Sequence, residues 1–328
     1  MDTVIGFWDK EVIKNREMMG NKGYNLYQMY QEDISVPPGF LLTTDACREY
    51  YQQSKTFPLR YKELIFRKIK ELEYYTKKKI GDEKNPLMIS IRSGAPVSMP
   101  GMLDTILNVG ITQKMLENCK DSYMFRSYLI FMNEYVKGVY GIELREADDE
   151  NKLMTVEQLQ NCIERKLQRF QQLVQKPFCD DILEVIENAI CAVFQSWEKP
   201  SARLYRKQRG IPEDLYTAVV IQEMKFGNKD GHSGSGVLFT RNPLTGKKEL
   251  YGEYVLNGQG IEVVNGIAET RAIDKLKQDN EEVYKQLVKE VSKIEKLYLE
   301  AQDIEFTFEE NNLYILQTRK AVEGQKSI

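Results

Sequence analysis

Histidine is almost missing from this chain, because its 328 residues include a single one, His232. This scarcity excludes zinc sites built on several histidines, and it leaves a Ser/His/Asp triad only if His232 is the base. The five cysteines are an odd number and contain no CxxC pair. Scattered thiols of this kind are typical of a reduced compartment, and we therefore expect a cytoplasmic protein.

Long apolar runs and an excess of one charge are also missing. No stretch approaches the roughly 20 apolar residues that span a bilayer, and the first ten residues, with Asp2 and Asp9, do not form a signal peptide. The net charge is only −3, and no run of lysine and arginine alternates with aromatic residues. We therefore expect neither a membrane nor a nucleic acid as a partner.

Three segments with different patterns divide the chain. Residues 1–112 mix short helical and strand patterns, residues 113–197 are helical throughout, and residues 198–328 turn to strands such as Thr217–Met224. A chain of this length usually forms two or three domains. We predict an α/β protein with two mixed lobes, 1–112 and 198–328, and a helical insert at 113–197.

The segment Asp303–Arg319 predicts a β-hairpin, because apolar residues alternate on both sides of a turn at Glu309–Asn312. Asp303 and Glu305 on the first strand and Gln317 on the second carry oxygen donors, which are the ligands that Mg²⁺ prefers. The pattern fits a metal site at the end of a nucleotide pocket. It equally fits an ordinary hairpin whose polar residues face water.

The register of this hairpin decides whether the three oxygen donors can meet. Residues that pair across an antiparallel hairpin share one face of the sheet. A regular turn of two or four residues would pair Glu305 with Leu316 and would turn Gln317 to the other face. A common metal site therefore requires an odd loop or a β-bulge, which we expect at Asn311 or Asn312 because asparagine tolerates the left-handed conformation.

A second candidate site follows the short apolar strand Leu87–Ile91, which we expect to deliver Arg92 at its end. The segment Arg92–Thr105 holds two glycines and several hydroxyl side chains, and Gly101 permits a close approach of the backbone to phosphate oxygens. Arg92 could clamp a phosphate, and Lys22 adds a charge beside a predicted helix start. A tight surface turn would give the same residue types. The loop is not a Walker A motif.

The ordered motifs of the whole chain resemble the N-terminal ATP-grasp module of pyruvate phosphate dikinase. The likeness runs over about residues 15–319 and is carried by Lys22-Gly-x-Asn-Leu, Val36-Pro-Pro-Gly-Phe, Ser90-Ile-Arg-Ser-Gly-Ala, Ser98-Met-Pro-Gly-Met-Leu-Asp-Thr105, Gln222-Glu-Met224, Phe239-Thr-Arg-Asn-Pro243, Tyr251-Gly-Glu253, Asn257-Gly-Gln-Gly260 and Asp303-Ile-Glu…Gln317-Thr-Arg319. The resemblance implies an ATP-grasp fold whose lobes enclose a nucleotide cleft between the Arg92–Thr105 loop and the final hairpin. Tyr216 stands where this family usually has glycine.

The resemblance also implies a role for each matching position. Triphosphate contacts are expected from Lys22, Arg92, Gly101, Thr105 and Arg319, and Lys22, Arg92 and Arg319 are the candidate catalytic residues. Gln222 and Met224 match the strand that borders adenine, and Glu253 matches a polar contact on the nucleotide side. Glu305 and Gln317 match the Mg²⁺ ligands, with Asp303 beside them.

The expected activity is Mg²⁺-dependent binding of ATP, with AMP as product, and transfer of its pyrophosphoryl group to a histidine on a separate domain or partner protein. The family's phosphohistidine domain and phosphoenolpyruvate-binding barrel are absent from the sequence, and we expect a natural stand-alone protein. Two alternatives stay open, a nucleotide-binding regulator without turnover and the ATP subunit of a phosphoenolpyruvate synthase or antibiotic phosphotransferase. His232, in a glycine-rich turn, is not expected to be the phosphoacceptor.

Overall fold

The computed structural model describes residues 3–13, 15–117, 119–146, 149, 154–260 and 269–321. The chain forms two compact units that are not continuous in sequence. The first unit holds Met1–Gly23 and Pro38–Met224, and the second holds Tyr24–Pro37 and Lys225–Ile328. The three-way division at residues 112 and 197 stays a prediction.

The first unit contains an antiparallel five-stranded sheet. Its strands are β1 (Val4–Gly6), β2 (Gly39–Leu42), β3 (Ile89–Gly94), β4 (Thr105–Val109) and β5 (Ala218–Glu223), in the order β1-β2-β5-β3-β4. The central strand β5 is buried along its whole length, as its continuous apolar sequence predicts.

Helices form the rest of the first unit. They are α2 (Thr44–Gln52), α3 (Leu59–Thr76), α4 (Gln113–Leu116), α5 (Ser122–Tyr140), α6 (Val156–Val174), α7 (Ile182–Ser196) and α8 (Pro200–Arg209). Thr155 and Gln158 form a capping box at the start of α6. α8 corrects the expectation of strands from residue 198, although Pro200 at its first turn and Gly210 in the left-handed conformation after it are ordinary helix boundary signals.

Helix α1 (Arg16–Gln31) is broken at Gly20, which has φ 68° and ψ 161°. Only glycine adopts this conformation without strain. A side chain could not fit there either, because a Cβ on Gly20 would lie 1.5 Å from the carbonyl oxygen of Gly94. The helix therefore restarts at Asn21, and Lys22 lies in its first turn, as the sequence predicts.

The second unit contains another antiparallel five-stranded sheet, in the order β10-β9-β6-β7-β8. Its strands are β6 (Gly234–Phe239), β7 (Tyr251–Leu256), β8 (Arg271–Ala272), β9 (Gln302–Glu309) and β10 (Asn312–Lys320), and its helices after β8 are α9 (Leu276–Asp279) and α10 (Glu281–Tyr298). The buried side of α10, including Leu287 and Ile294, packs beside β9 and β10. Two antiparallel sheets with many helices confirm the predicted α/β class.

Among the helices in the described ranges, none combines the length and the apolar content that a bilayer crossing requires.

Candidate functional site

Two candidate nucleotide residues of the first unit are cross-strand partners. Arg92 on β3 pairs with Thr105 on β4, so their side chains share one face of the sheet. The Arg92 guanidinium donates a hydrogen bond to Oε1 of Gln222, a buried residue of β5. Arg92 lies within β3 and not at its end, because the ladder to β5 continues to Gly94. The structure thus brings the predicted residues Arg92, Thr105 and Gln222 together.

The loop between β3 and β4 is held at a few apolar points. Ala95 and Met99 are buried against Trp197 and Ala202, whereas Gly101 is exposed. Gly101 has φ 70°, and nothing lies within 4 Å of the position of its missing Cβ. Glycine is therefore required there by the backbone conformation, and the space beside it is open, as a phosphate-binding loop needs.

The restart of α1 lies against the beginning of this loop. The backbone N–H of Asn21 donates to the carbonyl oxygen of Ala95 at 3.0 Å. Lys22 follows directly and is half-buried. A lysine in the first turn of a helix adds its charge to the positive end of the helix dipole, which is an arrangement suited to phosphate.

Met224 ends the strand predicted to border adenine. Its backbone N–H donates to the carbonyl oxygen of Met88 at 2.8 Å. The preceding Glu223 is buried and forms an ion pair with Lys78, whose Nζ lies 3.0 Å from Oε1. The sequence alone does not indicate this pair, because a lysine in a charged segment is usually solvated.

Tyr216 occupies a backbone conformation that normally requires glycine, with φ 57° and ψ −174°. Its ring stacks on Tyr51, with 5.8 Å between centroids, and the guanidinium carbon of Arg48 lies 5.5 Å from the centroid of Tyr216. These contacts account for a tyrosine where the family usually has glycine, since packing against α2 offsets the backbone strain.

A β-bulge in the second unit brings Glu305 and Gln317 into register. The hairpin has a two-residue turn, Glu310–Asn311, and the pairing is regular until Ile315 lies opposite Phe306. Leu316 is then extra, and Gln317 lies opposite Glu305. The predicted shift is confirmed, but its expected position at Asn311 or Asn312 is wrong, because Asn311 with φ 65° forms the tight turn.

The bulge lies next to a contact between β10 and a distant segment of the chain. β10 is the edge strand of the sheet, and the backbone N–H of Ile315 donates to the carbonyl oxygen of Ser35 at 2.7 Å. The hydroxyl of Ser35 donates to the carbonyl oxygen of Leu313. The segment around Ser35 thus caps the edge strand next to the extra residue, and such edges are where bulges commonly occur.

The shifted register creates a polar row across the second sheet. Glu253 on β7 pairs with Val237 on β6, Val237 pairs with Glu305 on β9, and Glu305 pairs with Gln317 on β10. All four side chains therefore share one face. Glu253 is two strands, or about 10 Å, from Glu305 and accepts a hydrogen bond from Thr270 at 2.7 Å. Its place suits a separate polar contact and not the same metal ion.

Asp303, Glu305, Gln317 and Arg319 form one connected cluster. Nη2 of Arg319 lies 3.0 Å from Oε1 of Glu305 and 3.3 Å from Oδ2 of Asp303, and Nε2 of Gln317 donates to Oε1 of Glu305 at 3.1 Å. Burial raises the pKa of Asp303, the positive charge of Arg319 opposes this rise, and the charge of Glu305 adds to it. Two carboxylates and an amide oxygen are a donor set that fits Mg²⁺.

Asn25 is a further residue that sequence analysis did not single out, although it belongs to the Lys22-Gly-x-Asn motif. Its buried Nδ2 donates to the carbonyl oxygen of Thr318 at 3.1 Å. Thr318 lies between Gln317 and Arg319, and its hydroxyl donates to Gln302 at 2.9 Å. The backbone that carries both functional side chains is therefore fixed on two sides.

Comparison with known proteins assigns the chain to a family. The model of the pyruvate phosphate dikinase AMP/ATP-binding domain matches residues 16–74 and 59–286. This chain belongs to that family. Pyruvate, phosphate dikinase of Clostridium symbiosum is 38% identical over 322 residues, which is 93% of this chain and 37% of the relative. The family expectation from sequence is thereby confirmed.

Two other relatives give the same picture. The chloroplastic pyruvate, phosphate dikinase 1 of Oryza sativa subsp. japonica is 37% identical over 322 residues, covering 93% of this chain and 34% of the relative. The pyruvate, phosphate dikinase of Rickettsia conorii is 38% identical over 328 residues, covering 93% of this chain and 37% of the relative. The chain thus spans about a third of the length of these dikinases.

Proposed function

We propose that this chain binds ATP together with Mg²⁺ and transfers the pyrophosphoryl group of ATP to a histidine on a separate domain or partner protein. The observation that carries the proposal is the bulge at Leu316, which places Glu305 and Gln317 opposite each other beside Asp303 and Arg319. A plain surface hairpin has no need of such a shift. The names of the relatives, pyruvate phosphate dikinases, support the same chemistry.

The first unit supplies the proposed phosphate and adenine contacts. Arg92 and Thr105 share a face, Lys22 lies in the first turn of a helix, and Gly101 leaves open space at its loop. These groups would hold and neutralise the triphosphate. The end of β5, with Gln222 and Met224, would border the adenine.

The second unit supplies the proposed metal ligands, Asp303, Glu305 and Gln317. Bound Mg²⁺ would neutralise phosphate charge during transfer. Arg319 lies beside these ligands and would add a second guanidinium, after Arg92, to the phosphate contacts. Glu253 would make a polar contact on the nucleotide side. Catalysis would consist of positioning and charge neutralisation, as is usual for phosphoryl transfer.

The proposed reaction breaks one bond and forms one. A histidine nitrogen of the partner attacks the β-phosphorus of ATP, and a nitrogen–phosphorus bond forms. The β-phosphorus loses its bond to the oxygen that bridges the α- and β-phosphates. The electron pair of that bond stays on this oxygen and leaves with AMP. His232 is exposed, and its backbone N–H donates a hydrogen bond to the side chain of Asp230 in the turn before β6. We do not take it as the phosphoacceptor, because a short turn cannot carry a histidine between two active sites.

Titration calorimetry with ATP, with and without Mg²⁺, tests binding. Arg92→Ala in the first unit and Glu305→Gln in the second should each weaken Mg²⁺-ATP binding. Arg60→Ala should not, because this exposed arginine pairs with Glu49 and Tyr61, far in sequence from the proposed contacts. Absence of binding at millimolar ATP would overturn the proposal.

Incubation with β-labelled ATP tests transfer. Acid-labile label on a phosphohistidine-domain protein, only when this chain is present, supports the proposed reaction. Label on this chain alone that is lost in His232→Ala would contradict it. Tight ATP binding with label on neither protein would favour a regulator that does not turn over.

A further inference from the structure

The two carboxylates of the proposed metal site already share a cation of the chain itself. Nη2 of Arg319 lies between Glu305 and Asp303, at 3.0 and 3.3 Å from their oxygens. Oε1 of Glu305 also accepts a hydrogen bond from the amide nitrogen of Gln317. The guanidinium therefore occupies the space that a metal ion would need, and Gln317 presents its nitrogen to this space.

We propose that Arg319 closes the metal site until a phosphate group draws its guanidinium away. The inference rests on the proposed function, because it takes Asp303, Glu305 and Gln317 as the metal ligands. The inference adds that nucleotide and Mg²⁺ bind cooperatively. When nucleotide binds, Arg319 leaves the two carboxylates and pairs with phosphate instead. The coupling is reciprocal, as linkage between two ligands requires.

The charges of the cluster give the physical reason. Asp303 and Glu305 carry two negative charges, and Arg319 neutralises one of them. A dication entering beside the guanidinium would meet a positive charge at roughly 4 Å, where like charges repel appreciably even in water. A triphosphate removes this repulsion, because it offers Arg319 a stronger partner with several acceptor oxygens.

The cluster can rearrange through its side chains alone. The side chain of Arg319 is 42% exposed, so it can swing into solvent. The backbone on either side cannot follow easily, because Asn25 and Gln302 hold Thr318. Rotation of the Gln317 amide would then replace its nitrogen by its oxygen at the same place.

The cluster around Lys166 offers a comparison, because its ion pair is buried. Glu146, Asp149 and Cys162 bring three metal-type ligand atoms within 4.8 Å of one another. Lys166 is fully buried there, with Nζ 2.9 Å from Oδ2 of Asp149. A lysine without access to solvent cannot leave, and this cluster is therefore structural. The exposure of Arg319 distinguishes its cluster from this one.

Binding of Mn²⁺ without nucleotide tests the proposal. Free Mn²⁺ is measured by electron paramagnetic resonance in a titration of the full chain, and Mn²⁺ replaces Mg²⁺ as an oxygen-binding dication. Wild-type protein should bind Mn²⁺ weakly, and Arg319→Gln should bind it about tenfold more tightly. Arg319→Lys should stay close to wild type, because the cation is retained. Adding Glu305→Gln to Arg319→Gln should abolish the gain.

A matched control comes from the same unit. Arg241 is 45% exposed and pairs with the carboxylate of Glu295 at 3.0 Å, much as Arg319 pairs with Glu305. Arg241→Gln should leave Mn²⁺ affinity unchanged. An equal gain in Arg241→Gln, or no gain in Arg319→Gln with an intact circular dichroism spectrum, would overturn the inference.

Binding of ATP in EDTA tests the reverse direction. Glu305→Gln frees Arg319 from one carboxylate and should tighten metal-free ATP binding several-fold. The gain in ATP affinity from Glu305→Gln should be smaller when Arg319 is already glutamine, because no guanidinium is then left to free. This double-mutant cycle isolates the interaction between Glu305 and Arg319. An equal gain in both backgrounds contradicts the inference while leaving the proposed function intact. Failure of wild-type protein to bind Mg²⁺-ATP at all contradicts the proposed function instead.

Discussion

Replacing Glu134 by glutamine should stabilise the first unit at pH 8 and leave it nearly unchanged at pH 5. Glu134 lies on α5, and its carboxylate accepts a hydrogen bond from the backbone N–H of Leu107 at 2.7 Å. Leu107 belongs to β4, the edge strand that begins with Thr105. Burial raises the pKa of Glu134 from 4.5 to about 7, opposed in part by that hydrogen bond and by the charge of Arg145.

The sign of the pH effect follows from the raised pKa. Between pH 4.5 and about 7 the folded protein holds a proton on Glu134 that the unfolded chain has released. The free energy of unfolding therefore falls as pH rises through this window. At about 1.4 kcal/mol per pKa unit, a rise from 4.5 to about 7 corresponds to about 3 kcal/mol. Glutamine keeps an acceptor for Leu107 and does not ionise, so this loss should disappear.

Urea unfolding followed by tryptophan fluorescence is the suitable assay. Both tryptophans, Trp8 and Trp197, belong to the first unit and report on it selectively. The control is Glu143→Gln, where an exposed carboxylate pairs with Lys137 and contributes little to stability. Parallel stability curves for wild type and Glu134→Gln from pH 5 to pH 8 would refute the reasoning.

Three further outcomes are expected. Arg92→Ala should weaken Mg²⁺-ATP binding by about 1.5–3 kcal/mol in calorimetry, the usual value of a charged hydrogen bond; a change below this range would count against the phosphate clamp. Gly20→Ala should cost at least about 3 kcal/mol of stability, because its Cβ would meet the carbonyl oxygen of Gly94 in a backbone conformation reserved for glycine. Gly138→Ala, in the last turn of α5, should be tolerated, since its Cβ would have ordinary contacts. His232→Ala should leave ATP affinity within about twofold, and a larger loss would indicate a contact to the nucleotide.

The hairpin illustrates how far sequence reasoning reaches. Alternation of apolar residues predicts both strands of the hairpin. A common metal site for Glu305 and Gln317 further predicts a shift of one residue in their register. The position of the shift could not be predicted, because the contact of Ile315 with Ser35 joins residues far apart in the chain. Leu316 itself carries no signal of a bulge.

Cap and periodicity signals in the sequence predict other helices and strands to within one or two residues at their ends. Residue type alone predicts that Thr44 or Asp45 caps α2. In the structure Thr43 precedes its first residue, and the backbone of Thr43 is extended. Ends of this kind shift by a residue or two because fraying and tertiary contacts compete. Arg92 was expected after its strand, but pairing with β5 extends the strand beyond it. Ladder length depends on the partner strand, which one segment of sequence cannot show.

Distant pairings were the least accessible part of the site. The hydrogen bond from Asn25 to Thr318, the ion pair of Lys78 with Glu223 and the acceptor role of Glu134 all join separate elements. Each residue type is common on helix surfaces. Only the fold shows which distant partners these particular side chains have.

The interleaving of the two units in the sequence has a consequence for synthesis. The second unit needs Tyr24–Pro37, which the ribosome makes early, and Lys225–Ile328, which it makes last. Asn25 and Thr318 are 293 residues apart, and at about 5–20 residues per second their translation is separated by about 15 to 60 seconds. The first unit can fold once Met224 has emerged, whereas Asn25 and Ser35 must wait for β10. A nascent chain that ends at Met224 therefore still lacks the partners of Asn25 and Ser35.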